Sequence, residues 1–414
     1  MELLRFFTAG NVDDGKSTLI GRLLFDSGSI STDIIETLTK QSTATGENTS
    51  IDLALLTDGL RAEREQGITI DVAYKYFSTQ KRKFIIADTP GHAQYTRNMF
   101  TGASTADLAI ILIDARNGVT EQTKRHTIIS SILQIPKLLV CINKMDLVDY
   151  SEDRYKEIEQ QFLEFTSNLA LKEIAFIPTS AKVGDNVVDN SKNMSWYNGE
   201  PLLSYLEQVA IKPKSLQDNT RFQVQYVIRP QVDELHDYRG YSGTLLNGSL
   251  SVGESVQVLP SGLKSKISKI EYNLSEVEIA TEGQPIVVQL ENDVDISRGM
   301  WLIPEKDTVK TSNEIPATIC WMDNITFQPG IKLLLQQGSA RTKALIKEIH
   351  HSIDIENFKN QTSDGQLKLN ELAQVTIRTA EPIIFDSFNE SKSSGSFILI
   401  NEYTNQTVAV GFLS

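Results

Sequence analysis

The stretch GNVDDGKS at residues 10–17 decides the fold. It matches the spacing G-x-x-x-x-G-K-[ST], with an apolar run before it at 3–9 and a helix-compatible run after it at 18–25. In such a loop the backbone amides face phosphates, the lysine serves the β- and γ-phosphates, and the serine hydroxyl binds Mg²⁺. A plain glycine-rich turn is the alternative, but the flanking strand and helix favour a phosphate loop. The predicted nucleotide-binding residues are Gly10, Asn11, Val12, Asp13, Asp14, Gly15, Lys16, Ser17 and Thr18, with Ser17 also a metal ligand.

Short apolar runs alternate with helical patterns over the first half of the chain. The runs are almost continuously apolar, as in strands buried on both faces of a sheet. They lie at 84–87, 108–114, 137–142 and 174–178, and the helix candidates between them lie at 121–133 and 152–170. This alternation predicts a P-loop α/β domain with a doubly wound, mostly parallel sheet.

A polar stretch at 211–220 separates this pattern from a different one. Beyond it, short alternating runs are divided by turns rich in Gly, Asn and Ser, which is typical of all-β structure. We expect a linker at 211–220 and then two small antiparallel β-barrels, with a break near 307–313. The predicted domains are a nucleotide-binding domain at 1–212 and barrels at 213–308 and 309–414.

Composition narrows the possible classes of protein. A net charge of −13 disfavours broad contact with a nucleic-acid backbone. The sequence contains no run of eighteen apolar residues, so it predicts no membrane span. The N-terminus lacks the parts of a signal peptide. The two cysteines, Cys141 and Cys320, have no metal-ligand spacing. We therefore expect a cytoplasmic protein whose cysteines are buried and reduced.

Two short motifs predict which base the site takes. CINKMD ends the apolar run at 137–142, at the sheet edge where open α/β sheets bind ligands. A carboxylate at Asp146 can accept hydrogen bonds from N1–H and the exocyclic amine of guanine, whereas adenine would leave it unpaired. A solvated turn is the alternative. GTP is thus the predicted ligand, with the base held by Asn143, Lys144, Met145 and Asp146 and, from the softer motif TSAK, by Ser180, Ala181 and Lys182.

The motif ADTPGH and the segment EREQGITID predict the parts that respond to the γ-phosphate. Asp88 follows a strand and can hold Mg²⁺ through water. The Gly91 backbone amide can bind the γ-phosphate, and glycine lets the loop change conformation when that phosphate leaves. Thr69 is a candidate Mg²⁺ ligand, and His92 is the candidate catalytic residue that positions or polarises the attacking water. The other predicted binding residues of ADTPGH are Thr89 and Pro90, and Arg61 and Arg64 are interpreted as solvated rather than as arginine fingers.

These motifs, in this order, resemble the translation-factor class of GTPases, which includes elongation factor Tu and eukaryotic elongation factor 1-alpha. The resemblance implies a GTPase domain followed by two β-barrels. Elongation factors usually have histidine where this chain has Asn11 and Asp14, and threonine where it has Ser17. The segments that carry the resemblance are 10–17, 63–71, 88–92, 143–146 and, loosely, 180–182.

Longer segments resemble one branch of that class, the large GTP-hydrolysing subunits of bacterial sulfate adenylyltransferases. They lie at 8–30, 51–79, 87–119, 193–203 and 239–262. The resemblance implies a small partner subunit, similar to ATP pyrophosphatases, that joins ATP and sulfate into adenosine 5′-phosphosulfate and pyrophosphate while GTP hydrolysis drives the step. One P-loop and no pyrophosphate loop for ATP are consistent with that division. Some relatives add an adenylylsulfate kinase, which we do not expect here.

The resemblance also implies two finer features. A monovalent cation such as K⁺ is expected near Asp13, and the apolar residues that flank the catalytic histidine correspond to Val12 and Ile68, for which core packing is the alternative. The role of Asp14 stays open. Two other functions also stay open: an elongation factor that delivers aminoacyl-tRNA, and a GTPase switch without an enzymatic partner.

Overall fold

The computed structural model describes residues 2–30, 53, 71–91, 96–167, 169, 171, 173–210, 219–230, 238–354 and 359–414. The described residues divide into two compact units, one that ends at residue 210 and one that begins at residue 219. None of the helices in the described ranges combines the length and the apolar character that crossing a membrane requires. Cys141 and Cys320 are buried free thiols, so the expectation that they are buried is confirmed, and burial raises the pKa of each to about 12.

The first unit is built on a six-stranded sheet with the order β2-β3-β1-β4-β5-β6. All neighbouring strands are parallel except β2, which runs antiparallel to β3, so the predicted α/β fold is confirmed. The strands are β1 Leu3–Ala9, β2 Ala73–Ser78, β3 Lys83–Asp88, β4 Leu108–Asp114, β5 Lys137–Asn143 and β6 Ile174–Pro178. Strand β2 was not predicted from the sequence, because it is an edge strand with half of its side chains exposed.

The order of the strands creates the place for a ligand. From β1 the chain continues on one side through β2 and β3, and then crosses to β4 on the other side of β1. At such a switch point the loops that leave neighbouring strands diverge and open a crevice at the carboxyl edge. The register aligns the ends of the strands, since Asp114 pairs with Asn143 and Ile142 with Pro178. The loops after β1, β3, β4, β5 and β6 therefore meet at one edge.

Five helices with described bounds accompany this sheet. They are α1 Lys16–Asp26, α2 Thr96–Ala103, α3 Glu121–Ile132, α4 Glu152–Thr166 and α5 Leu202–Gln208. Helix α4 ends before the predicted residue 170, because the Ser167 hydroxyl donates to the Glu164 carbonyl at 2.8 Å and competes with the helical pattern. Apolar side chains of α1 and of the strands, such as Leu19, Phe6 and Ile110, form the core beneath the carboxyl edge.

The second unit contains two closed, six-stranded antiparallel barrels, as predicted. The first barrel closes through β11 and β12, and its region comprises β7 Arg221–Gln223, β8 Tyr226–Ile228, β9 Gly240–Asn247, β10 Ser249–Ser251, β11 Ser255–Leu259, β12 Leu263–Tyr272, β13 Ser275–Glu276, β14 Ile279–Thr281, β15 Pro285–Leu290 and β16 Trp301–Pro304. The second closes through β18 and β19, and comprises β17 Lys310–Trp321, β18 Leu333–Gln337, β19 Ala340–Asp354, β20 Lys359–Gln361, β21 Leu372–Phe385, β22 Ser396–Asn401 and β23 Thr407–Leu413.

A buried polar contact joins the two barrels. Arg221 of β7 is 1% exposed, and its Nε and Nη2 donate to the Asp386 carboxylate at 2.9 and 2.7 Å. The Ser394 hydroxyl donates to the same carboxylate at 2.6 Å. A second link runs from Gln223 of β7 to the Gln337 carbonyl at 3.2 Å. Buried charges need such complete pairing, so this contact requires groups from both barrels.

Candidate nucleotide-binding site

The loop between β1 and α1 has the geometry of an anion site. Gly15 has φ of 96°, and a Cβ at this position would lie 2.5 Å from Asn143 Nδ2, so only glycine fits. Helix α1 begins at Lys16 without a side-chain cap. Among the described residues, the helical hydrogen bonding of α1 begins with the Leu19 amide, which donates to the Gly15 carbonyl. The amides before it, at Ser17 and Thr18 among others, are those that a helix N-terminus presents to a phosphate.

Lys16 lies inside the loop. Its side chain is 7% exposed, and Nζ donates to the carbonyls of Gly10 and Asn11, each at 2.9 Å. Burial lowers the pKa of Lys16, while the charges of Asp88, Asp14 and Asp13 act in the opposite direction. An ammonium has three donors. Two hold the loop closed, and the third is the one that can reach a phosphate.

The two aspartates of the loop have opposite surroundings. Asp13 is exposed and has a left-handed backbone with φ of 70°. Asp14 is 3% exposed, and its Oδ2 accepts the Asn11 amide at 2.6 Å, which closes the turn. Burial raises the pKa of Asp14 against the opposing effects of the Asn11 amide and Lys16. Asp14 thus shapes the loop from inside, a contact that the sequence did not reveal.

Asn143 connects the phosphate loop to the loop after β6. It is 1% exposed, its Nδ2 donates to the Asp14 carbonyl at 2.8 Å, and its Oδ1 accepts the Ala181 amide at 2.9 Å. Thr179 makes a longer contact to the same Oδ1, at 3.4 Å. One amide side chain therefore sets the spacing between the two predicted halves of the site.

The base loop is held in a fixed shape. Lys144 has a left-handed backbone with φ of 61° and begins a 3₁₀ turn, Met145–Val148. Met145 is buried, and its amide donates to the Thr179 carbonyl at 3.1 Å. Asp146 is half-buried, and its Oδ1 accepts the Ser180 hydroxyl at 2.6 Å. A carboxylate fixed in this way keeps further lone pairs that can accept the N1–H and amine of guanine.

Arg22 of α1 holds the motif TSAK, which follows β6. Its Nε donates to the Ala181 carbonyl at 3.2 Å and its Nη2 to the Lys182 carbonyl at 2.7 Å. Lys182 itself is exposed. The helix that follows the phosphate loop therefore also holds the loop after β6. No sequence signal pointed to Arg22, since the contact spans 159 residues.

The segment 193–203, which was singled out by resemblance alone, supports the base loop from outside. The Trp196 indole N–H donates to the Tyr150 carbonyl at 3.0 Å, just beyond the 3₁₀ turn. Trp196 also packs against Tyr155 of α4, with ring centroids 5.2 Å apart. Tyr150 has a left-handed backbone with φ of 53°, and this contact fixes the chain there.

The loop after β3 contacts the phosphate loop. Asp88 is 1% exposed and accepts the Thr8 hydroxyl at 3.3 Å, and the Thr89 hydroxyl donates to the Thr8 carbonyl at 2.6 Å. A Cβ at Gly91 would lie 2.5 Å from both the Gly10 carbonyl and Lys16 Nζ. Pro90, between them, is buried. Gly91 thus approaches the phosphate loop as closely as a backbone can.

Two predicted functional residues, Thr69 and His92, lie outside the described residues, as do Arg61, Arg64 and Ile68. Within the described part, no three His, Cys, Asp or Glu side chains come together as a metal cage. The predicted ligands there are Ser17, which is half-buried in the first turn of α1, and the buried Asp88. That sparse set fits Mg²⁺, which keeps several waters and takes phosphate oxygens as its other ligands.

Asp114, at the end of β4, is a further charged residue at this edge that the sequence analysis did not single out. Its carboxylate is 3.0 Å from Lys144 Nζ and accepts Arg116 Nη2 at 2.7 Å. Burial disfavours its charged form, but hydrogen bonds from Arg116 and Lys144 outweigh this and lower the pKa of Asp114 to about 2. A signal for Asp114 was present in the sequence, since it ends an apolar run just as Asn143 ends the next one.

Comparison with known proteins identifies the fold and the family. A family model described as elongation factor Tu GTP binding domain matches residues 1–226, and one described as GTP-eEF1A C-terminal domain-like matches residues 314–414. The GTPase-like domain of Ski7 from S. cerevisiae, solved with GTP bound, is 18% identical with a TM-score of 0.54, covering 100% of this chain and 97% of that one. At that identity the likeness concerns the fold alone.

Curated relatives match over the whole chain. Sulfate adenylyltransferase subunit 1 of Colwellia psychrerythraea is 47% identical, covering 100% of this chain and 88% of the relative. The protein of the same name from Cellvibrio japonicus is also 47% identical, covering 100% and 86%. The chain therefore belongs to the sulfate adenylyltransferase subunit 1 family and carries a GTP-binding domain of the elongation factor Tu type.

Proposed function

We propose that GTP hydrolysis by this chain drives the synthesis of adenosine 5′-phosphosulfate on a smaller partner subunit. The partner, similar to ATP pyrophosphatases, joins ATP and sulfate and releases pyrophosphate. The product is a mixed anhydride of high energy, so this step runs uphill unless it is coupled to cleavage of GTP into GDP and phosphate. The relatives' name, subunit 1, itself implies a second kind of subunit.

One observation supports the guanine-nucleotide part most strongly. Asn143 joins the phosphate loop to the loop after β6, and Ser180 of that same loop fixes Asp146. Groups that serve the phosphates and groups that serve the base are therefore parts of one hydrogen-bonded unit. A site whose buried acceptors match guanine can reject adenine by a factor of about 10⁴–10⁵.

Each residue of the site has a proposed task. The amides of Gly15 to Thr18 and the ammonium of Lys16 bind the phosphates. Ser17, Thr69 and, through water, Asp88 hold Mg²⁺, which supplies positive charge to the phosphates. Gly91 senses the γ-phosphate, and His92 positions or polarises the attacking water. The other residues predicted for this site act through their backbone or shape the two loops.

Four further parts of the proposal concern charge, domains, location and coupling. A monovalent cation such as K⁺ lies near Asp13, whose exposed carboxylate would otherwise repel the nucleotide phosphates. The nucleotide-binding domain spans 1–212, and the barrels span 213–308 and 309–414. The protein works in the cytoplasm. Coupling between GTP cleavage and adenylyl transfer uses rearrangement of the switch segments.

The decisive experiment reconstitutes both subunits. The chain is co-purified with the small subunit, and pyrophosphate release is measured with ATP, sulfate and Mg²⁺, with and without GTP. We expect release that requires GTP and that is lost with Asp146→Asn. The amide of that variant matches xanthine better than guanine, because it can donate to the carbonyl at position 2, so XTP should restore release. GTP hydrolysis that ignores ATP and sulfate would indicate a switch without an enzymatic partner.

The alternative function is delivery of aminoacyl-tRNA by an elongation-factor-like GTPase. The fold accommodates it, since two barrels follow the GTPase domain in both cases. GTP-dependent binding of aminoacyl-tRNA by the purified chain, without a partner subunit, would support it over the proposal. The family assignment favours the sulfate-activating function. The net charge does not separate the two functions, because bacterial elongation factors are acidic as well.

A further inference from the structure

Asp114 holds two cationic side chains at the junction between the base loop and the phosphate loop. Its carboxylate is nearly inaccessible, with 1% of the side chain exposed. Arg116 contacts it through its backbone amide at 2.9 Å, through Nε at 3.1 Å and through Nη2 at 2.7 Å. Lys144 Nζ lies 3.0 Å away. A buried carboxylate with two cations is fully compensated, so the arrangement is a defined one.

The contact with Lys144 fixes a side chain that would otherwise be mobile. A lysine has a flexible four-carbon stem with many accessible rotamers. Here both of its ends are constrained, because the backbone is left-handed at φ of 61° and Nζ is paired with Asp114. A stem held at both ends is a preorganised apolar surface. That surface belongs to the residue predicted to cover the plane of the base.

Arg116 extends the same arrangement toward the phosphates. The hydrogen bond and charge of Asp114 raise the pKa of Arg116, and the carboxylates of Asp13 and Asp146 add smaller effects in the same direction. Its carbonyl accepts Arg154 Nη2 at 3.2 Å, which fixes the turn from the other side. About half of the Arg116 side chain is exposed. A guanidinium placed there adds positive charge beside the nucleotide-binding edge.

We propose that Asp114 is a positioning residue for nucleotide binding, which keeps the Lys144 stem over the base and the Arg116 guanidinium at the carboxyl edge of the sheet. The proposal rests on the proposed function, because it assumes that a guanine nucleotide occupies this edge. Asp114 need not touch the nucleotide. It stays ionised at neutral pH, since the two cations lower its pKa to about 2.

The test measures nucleotide affinity of the purified full chain by calorimetry, with GDP and with IDP. We expect Asp114→Asn to weaken GDP binding about tenfold, the effect of losing one charged hydrogen bond. IDP lacks the amine that faces Asp146, so the wild-type chain should bind it less tightly. The loss in Asp114→Asn should be equal for both ligands, because the Lys144 stem contacts the plane of the base and not its edge.

Two controls separate positioning from a structural role. Asp107→Asn changes the same residue type at the other end of β4, where Oδ2 accepts the Arg5 amide at 2.9 Å, and should leave GDP affinity unchanged. In a chain that already carries Lys144→Met and Arg116→Gln, Asp114→Asn should cost less than about twofold, since the side chains it positions are gone.

Several results would overturn the inference. They are unchanged GDP affinity in Asp114→Asn, a loss that differs between GDP and IDP, or a full loss that persists in the double-variant background. If Asp114→Asn does not fold, Arg116→Gln on the half-exposed side decides, with a threefold or larger loss expected and no loss refuting the role of Arg116. A wild-type chain without preference for GDP over ADP would instead refute the proposed function.

Discussion

Replacement of Asn143 by alanine tests the central feature of the site, the connection between its two halves. Asn143 is 1% exposed and uses both ends of its amide, donating to the Asp14 carbonyl at 2.8 Å and accepting the Ala181 amide at 2.9 Å. Asn143→Ala removes both contacts at once. It leaves a carbonyl in the phosphate loop and an amide in the loop after β6 without their partners.

The expected magnitude follows from those two orphaned groups. Leaving one buried polar group unsatisfied costs about 1–3 kcal/mol, so two give about 2–6 kcal/mol if nothing relaxes. Relaxation of the two loops offsets part of this cost, so we expect the lower end of that range in nucleotide affinity. A loss of about 2 kcal/mol corresponds to roughly a 30-fold higher dissociation constant for GDP.

The assay is titration of GDP into the nucleotide-free chain, together with its thermal unfolding. Asn143→Asp separates the two contacts, since it keeps an acceptor for Ala181 but turns an oxygen toward the Asp14 carbonyl, and it should bind GDP no better than the alanine variant. Thr179→Val removes only the 3.4 Å contact to Asn143 and should change affinity less than about twofold. A loss under threefold in a folded Asn143→Ala chain would refute the reasoning.

Three other perturbations have defined outcomes. His126 is 3% exposed, and burial lowers its pKa to about 3. As the pH falls below about 6.5, His126 takes up a proton in the unfolded state but not in the folded state, so the free energy of unfolding should fall by about 2 kcal/mol between pH 7 and pH 5. Unfolding titrations at the two pH values should show that His126→Gln removes this part of the fall. Asp386→Asn should lower the free energy of unfolding by about 3 kcal/mol in urea titrations, because it leaves the buried Arg221 with only the Asp307 carboxylate at 3.9 Å as a charged partner, whereas joint replacement with Arg221→Met should cost less. Gly91→Ala adds a Cβ that would lie 2.5 Å from the Gly10 carbonyl. The rate of GTP hydrolysis, measured as phosphate released, should fall at least about tenfold, and the affinity for GDP should change less.

Motifs with a fixed spacing could be predicted from the sequence because their function depends on local backbone geometry. The glycine of the phosphate loop is one example, since φ of 96° at Gly15 requires glycine whatever the rest of the fold does. The strands around the site were predictable for a similar reason. Strands buried on both faces, such as β4 and β5, have no polar interruptions, and their ends directly precede the site residues.

Contacts made over long sequence separations were beyond the sequence analysis. Arg22 holds the carbonyls of Ala181 and Lys182, 159 and 160 residues away, and nothing near Arg22 indicates this partner. Strand β2 was missed for a different reason. It is an edge strand paired only with β3, so its alternation of exposed Tyr74 and Tyr76 with less exposed residues gives a weak signal.

The paired aspartates of the phosphate loop show how one short motif can contain two different solutions to charge repulsion. Two carboxylates beside a polyphosphate are unfavourable unless each is separated from it or neutralised. Asp13 meets the condition by exposure, where a cation can reach it. Asp14 meets it by pairing inward, since its Oδ2 accepts the Asn11 amide while Lys16 lies close enough to oppose its raised pKa. Identical neighbouring residues therefore have different surroundings, and the backbone is left-handed at the first of them, Asp13.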